Sequence, residues 1–183
     1  FGSGFSTIAI ALALRELKNN QNFIGKLFCV DANKEWLNNT EMKFKEELRE
    51  FVKFHFSEAY MGKFNDQIVT YHKDLPDVAP NFIYLDGPAP NDVVGEINGL
   101  SFRSKIFKNK DDSIFFKTND RRIVSADPLL YESTAPSDFF ILIDRRFSNY
   151  NFLERNLKYD YNITKDLSFG GRFTLEKKYQ PYP

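Results

Sequence analysis

The chain predicts an α/β domain: a three-layer sandwich in which a mostly parallel sheet is covered by helices on both faces, with an antiparallel hairpin at its C-terminal side. Three observations predict it. Short apolar runs that close on an acid recur at Lys26–Asp31 (KLFCVD), Asn81–Asp86 (NFIYLD) and Asp138–Asp144 (DFFILID). A continuous apolar run of that length reads as a strand buried on both faces. Helical stretches alternate with these runs, and such alternation implies a parallel sheet with helices on both sides. Near the end, Gly170 and Gly171 separate two strand-like runs in the manner of a hairpin turn.

Each element follows in order. After Gly2 and Gly4, Ser6 or Thr7 is placed to cap a helix that runs to about Asn19. Ala, Leu and Ile occupy nearly all sides of its first two turns, so it is expected to be well buried. Lys26–Asp31 is the first strand. Asn33 to about Phe51 is a second helix, with Leu37, Phe44, Leu48 and Phe51 on one stripe and Glu46, Glu47, Arg49 and Glu50 opposite. A weaker strand spans Phe54 to Tyr60, and Ile68 to Asp77 reads as either strand or turn. Asn81–Asp86 is a strand followed at once by Gly87-Pro88. Residues 99–125 read as a lid or insertion, with a basic run of Arg103, Lys105, Lys108 and Lys110, because so long a structureless loop is unusual in a compact domain. Ala126 to Thr134 starts a helix with Pro128 in its first turn. Asp138–Asp144 is a strand, Arg145 to Leu157 a helix, and Tyr159 to Lys165 and Arg172 to Lys178 the closing hairpin.

The 183 residues suit one domain with a sizeable core. Basic and acidic residues balance at 25 each. Nucleic-acid binding as the main task needs an excess of Lys and Arg, so it is not expected. The one cysteine, Cys29, excludes an internal disulfide and a cysteine zinc site, and its apolar surroundings read as burial. No run approaches the length of a membrane span. A cytoplasmic location without membrane contact is the expectation.

A glycine turn before a helix lets backbone approach a ligand closely, and the helix's free N–H groups then face that ligand. Asp31, at the end of the next strand, is placed to accept hydrogen bonds from the hydroxyls of a ribose. Glycine turn and acid together form a nucleoside-binding arrangement. A dinucleotide fingerprint wants a small residue where Thr7 stands, so the spacing favours one nucleoside over a pyrophosphate.

The stretches FGSGFST, VDANKEW and FIYLDGPAP are similar to class I S-adenosylmethionine-dependent methyltransferases. The likeness is greatest to a bacterial branch with E-x-G-S-G-x-S-T, V-D-x-x-x-x-W and Y-L-D-G-P, and it extends from Phe1 to about Lys178. The resemblance implies a Rossmann-like fold and S-adenosylmethionine as cofactor. It assigns Gly2, Ser3, Gly4, Ser6, Asp31, Ala32 and Asp86 to the cofactor. The family's acid before the glycine loop has no counterpart here. The resemblance also implies that upstream residues supply a central first strand, and that a chain starting at Phe1 does not fold alone.

The chemistry is expected at the strand ends. Asp86 would steady the methyl-donating sulfonium or orient a nucleophile, against the plainer reading of a turn residue bonding its own backbone. Asp144 should share that rim. Two facing carboxylates suit magnesium or calcium, but Arg145 follows Asp144 and would repel a cation, so no metal is assigned. Arg145 and Arg146 read as a clamp for an anionic group, against a solvated helix start. His55 and His72 read as satisfied or surface histidines before general bases. Tyr60 stands evenly between adenine stacking and ordinary packing, and Trp36 reads as packing. The expected reaction is methyl transfer to a small molecule or sugar, anionic groups included, with a homo-oligomer left open. The rivals are an NAD(P)-dependent oxidoreductase, for which no Tyr-x-x-x-Lys pair stands at a suitable site, and a catalytically silent binding or assembly domain.

Overall fold

The computed structural model describes residues 2–102, 105–108, 114–117, 123–168 and 171–178, with the backbone alone for 105–108 and 114–117. Helix α1 (Phe5–Gln21) follows the glycine loop and leads to β1 (Leu27–Asp31). Helices α2 (Lys34–Met42) and α3 (Glu46–Arg49) precede β2 (Val52–Phe56), β3 (Ala59–Phe64) and β4 (Gln67–His72). Strand β5 (Phe82–Leu85) follows, then β6 (Val93–Val94), β7 (Lys105–Lys108) and β8 (Ile114–Lys117). Helix α4 (Asp127–Tyr131), β9 (Phe140–Asp144), α5 (Phe147–Asn156), β10 (Tyr161–Asp166) and β11 (Arg172–Lys177) complete the chain.

The strands do not form the expected mostly parallel sheet of a Rossmann-like three-layer sandwich. Among the described residues they divide into four small sheets: β1-β2, β10-β11-β9-β5, β4-β3-β6 and β7-β8. The largest is mixed, with β10-β11 and β11-β9 antiparallel and only β9-β5 parallel. Two physical causes stand out. First, β1 and β5 do not pair, and a cleft lies between them. Second, the expected strand from Phe54 to Tyr60 divides between β2 and the start of β3, and β3 turns back on β4, within the stretch read as strand or turn, in a tight hairpin. Asn65 and Asp66 turn it at φ 46° and 62°, with Phe64 opposite Gln67. Asn and Asp tolerate this left-handed conformation, which matches the twist of the flanking strands.

The second helix also differs from expectation. It breaks at residues 43–45 into α2 and α3, yet Leu37, Phe44, Leu48 and Phe51 are all buried as one stripe. They join Ala11, Cys29 and Val52 in a core between α1, β1 and α3. Asn33 caps α2 through its side chain, which accepts from Trp36 N–H at 2.9 Å. Helix α1 has no side-chain cap; Gly4 occupies that position, so neither Ser6 nor Thr7 performs the capping expected of it. Nor is α1 well buried. Thr7 and Ala11 are covered, but Phe5 is 86% exposed. The helix packs one face on β1 and α3, with Arg15 paired to Glu47 at 3.0 Å and Lys18 to Glu50 at 2.7 Å.

The larger core lies under β5, β9 and β11. Leu85, Ile141, Ile143 and Leu175 pack there with Phe139, Phe152 and Leu153. Tyr150 stacks on Phe173 at 4.4 Å. A buried polar network closes one side. Asp127 accepts from His72 N–H at 2.9 Å and from Ser125 Oγ at 2.8 Å, and its Oδ2 lies 2.7 Å from His72 Nδ1. Among the described residues, no helix is long and apolar enough to cross a membrane.

Candidate functional site

The glycine loop sits where β1 and β5 end. Gly2 N–H donates to Val30 O at 2.8 Å. A Cβ on Gly2 would stand 3.6 Å from the Asp86 carbonyl carbon. Gly2 therefore touches the ends of both strands. Gly2 and Gly4 have φ of 98° and 133°, a region that L side chains rarely adopt, so glycine is required at both. The expected proximity of loop and acid is present: Ser3 N–H and Ser3 Oγ each donate to Asp31 Oδ2 at 2.7 Å. The other carboxylate oxygen, Oδ1, accepts from Asn33 N–H at 2.8 Å. Asp31 thus holds the loop against the start of α2.

Two contacts at the loop lie outside the sequence-based assignment. Trp36, read as a packing residue, is 58% exposed, and its indole Nε1–H donates to Ser3 O at 3.0 Å. Asn33 Nδ2 donates to Asp92 Oδ1 at 3.0 Å, tying the β1 end to the turn after β5. The polar helix-start pattern at Asn33 was a readable signal for its cap, but its bond to Asp92 crosses 59 positions and leaves no local trace. Ser6 borders the cleft between β1 and β5, and Ala32 packs against the small core around Ala59, Met61 and Val93. Thr7 Oγ1 lies 3.3 Å from Cys29 Sγ, so Thr7 is a helix–strand contact. Burial pushes the Cys29 thiol above its ordinary range.

The second half of the rim is charged. Arg146 Nη2 donates to Asp86 O at 2.7 Å and to Pro88 O at 3.3 Å, and its Nε lies 3.9 Å from Asp86 Oδ1. Partial burial raises the Asp86 pKa, Arg146 opposes that shift, and the Asp144 carboxylate adds to it. Burial lowers the Arg146 pKa against the pull of Asp86. Asp144 accepts from Tyr84 OH at 3.3 Å and stands 3.9 Å from Arg172 Nε. Tyr84 is pushed up to about 12 by burial and then by the Asp86 and Asp144 carboxylates, so its phenol is neutral at physiological pH. Arg145 is exposed, with φ 54°, and its N–H donates to Gly171 O at 2.8 Å. It is Arg146 that contacts Asp86.

The remaining expectations fall elsewhere. His72 is buried against Asp127, and His55 Nε2 lies 2.7 Å from Asp74 O. Tyr60 stacks on Tyr71 at 5.8 Å. No group of three or more His, Cys, Asp or Glu is placed to hold a metal ion among the described residues. The backbone of β7-β8 is a hairpin within 99–125, whereas the basic side chains assigned to a lid lie outside the described residues. The chain matches no family model, no curated protein and no solved structure.

Proposed function

We propose that the Gly2–Gly4 loop and Asp31 hold the adenosyl part of S-adenosylmethionine, and that the protein transfers its methyl group to a small-molecule or sugar acceptor. The observation that carries this reading is the meeting of loop, ribose-type carboxylate and Asp86 at one end of the strands. The donor set suits the cofactor. A carboxylate offers about four lone-pair sites, and Asp31 uses three of them, for Ser3 N–H, Ser3 Oγ and Asn33 N–H. One site is open, and the Ser3 hydroxyl can cede a second to a ribose hydroxyl. Asp31 and Ser3 would hold the ribose, and the positive-φ backbone of Gly2 and Gly4 would admit the methionine part.

Bound there, the cofactor supplies an electrophilic methyl on a sulfonium. The rest is positioning, which supplies much of the rate when the donor is already reactive. Asp86 accepts the acceptor's proton, and its raised pKa brings it toward the neutral range where a general base works best. Arg146 fixes the Asp86 backbone. Tyr84 remains a neutral donor beside both carboxylates. Arg145, exposed at the same rim, faces solvent where an anionic group would approach.

Isothermal titration of the chain with S-adenosylhomocysteine tests the reading. Binding that weakens at least about tenfold, 1.4 kcal/mol, in Asp31→Ala is expected. Unchanged binding in that variant removes the ribose assignment. A non-catalytic reading draws on one observation, that Asp31 is engaged by its own loop. Absence of any binding by the wild type would favour it.

A further inference from the structure

Trp36 stands where packing does not account for it. It is the chain's one tryptophan, it lies in the first turn of α2, and it is 58% exposed. More than half of its surface therefore gains nothing from burial. Its firm contact is polar: the indole Nε1–H donates to Ser3 O at 3.0 Å, across 33 positions of the chain.

That bond closes a ring. Ser3 N–H and Ser3 Oγ each donate to Asp31 Oδ2 at 2.7 Å. Asp31 Oδ1 accepts from Asn33 N–H at 2.8 Å. Asn33 Oδ1 accepts from Trp36 N–H at 2.9 Å. The Trp36 indole then returns to Ser3 O. Ser3 is thus held on both sides of its Cα, the N–H by Asp31 and the carbonyl by Trp36. Asp31 alone would fix the first peptide and leave the second free to turn.

The second peptide matters because its other end is Gly4 N–H. The Ser3–Gly4 bond is trans, the cis bond among the described residues being Gly87-Pro88. In a planar trans peptide the C=O and N–H point in opposite directions. Ser3 O aimed at Trp36 therefore aims Gly4 N–H away from α2. That N–H donates to no group among the described residues. Gly4 has φ 133° and ψ -140°. Glycine enters that region freely and leaves it as freely, so a neighbour must hold the peptide in place. Beyond its chain neighbours, the one atom within 4 Å of a Cβ built on Gly4 is Trp36 Nε1, at 3.8 Å.

We propose that Trp36 is a positioning residue for the methyl donor: its indole, by holding Ser3 O, presents Gly4 N–H to the α-carboxylate of the cofactor's methionine part. An N–H donor suits that carboxylate and not the neighbouring ammonium, and a hydrogen bond to a charged acceptor is among the strong ones. This role rests on the reading of the loop as an S-adenosylmethionine site. It goes beyond that reading, in which Asp31 holds the ribose and Trp36 has no part. Trp36 acts through Ser3 and not by contact with the transferred methyl.

Two ligands separate this role from general support of the loop. S-adenosylhomocysteine carries the amino-acid part, whereas 5′-methylthioadenosine keeps the nucleoside and thioether and lacks it. Both are titrated calorimetrically into the wild type, into Trp36→Phe, and into protein with Trp36 replaced by β-(3-benzothienyl)alanine. The last has the shape of tryptophan with sulfur in place of the N–H, so it serves even where the phenylalanine variant does not fold. Each replacement should weaken S-adenosylhomocysteine about tenfold or more and 5′-methylthioadenosine less than about twofold. Equal weakening of both ligands would make Trp36 a structural support only and overturns the proposal. Unchanged affinity for S-adenosylhomocysteine in the replaced proteins also overturns it and leaves the cofactor reading intact. A wild type that binds neither ligand removes the cofactor reading, and the role of Trp36 with it.

Discussion

Asp31 and Tyr131 show how single side chains set local behaviour here. Asp31 accepts three hydrogen bonds, two from Ser3 and one from Asn33, and so couples a glycine loop to a helix start. Tyr131 donates its hydroxyl to Pro76 O at 2.8 Å. Burial pushes its pKa up to about 12 from the ordinary 10, and the Asp127 and Asp77 carboxylates add to the shift. The sign of the linkage is fixed by that direction. The folded state favours the neutral phenol, so the contribution is complete below pH 10 and is lost as pH rises from there to about 12. Urea unfolding at pH 8 and pH 11 should therefore show lower stability at the higher pH. Tyr131→Phe should be about 1 kcal/mol less stable at pH 8, from the lost hydrogen bond, but should lose less between the two pH values. Some alkaline loss should persist in the variant, because Tyr84 and Tyr161 are shifted upward too. An identical pH dependence in both proteins would contradict the assignment.

Elements are joined in this molecule by a few buried polar groups as well as by apolar packing. Glu132, 2% exposed after α4, accepts from Lys158 N–H at 2.8 and 3.0 Å, from Tyr159 N–H at 3.1 Å and from Tyr161 OH at 3.2 Å. It thereby positions the loop between α5 and β10. Glu132→Ala leaves those donors without a partner, which should cost about 2–4 kcal/mol. Glu132→Gln retains one acceptor oxygen and should cost about half as much. Denaturant unfolding reads both, and a cost below about 0.5 kcal/mol for the alanine variant would show the clamp to be dispensable. Such joints are not visible in a sequence read locally. The strands Leu27–Asp31, Phe82–Leu85 and Phe140–Asp144 were legible because their runs are continuously apolar. So was the stripe of Leu37, Phe44, Leu48 and Phe51, since helical spacing survives the break at residues 43–45. The capping of α1 was misread because Gly4, not a hydroxyl side chain, takes the cap.

At the scale of the whole molecule, pairing was the part the sequence did not disclose. An apolar run tells that a strand is covered, but not which strand lies beside it. The expectation of a mostly parallel sheet failed there: β1 pairs with β2, β5 with β9, and nothing described bridges the two pairs. The candidate site was more legible, because a glycine turn with positive φ and an acid at a strand end are local features. The placing of Trp36 over Ser3, and of Arg146 on Asp86, depended on how helices meet strand ends and could not be read from spacing. The central claim is that the loop and Asp31 hold one nucleoside. Titrating S-adenosylhomocysteine into isotopically labelled protein, with backbone amide resonances followed by NMR, tests it most directly. Saturable shifts centred on the amides of Ser3, Gly4 and Asn33 are expected. Saturable shifts confined to Phe28, Val30 and Phe82 in the cleft, or no shifts at all, would contradict it.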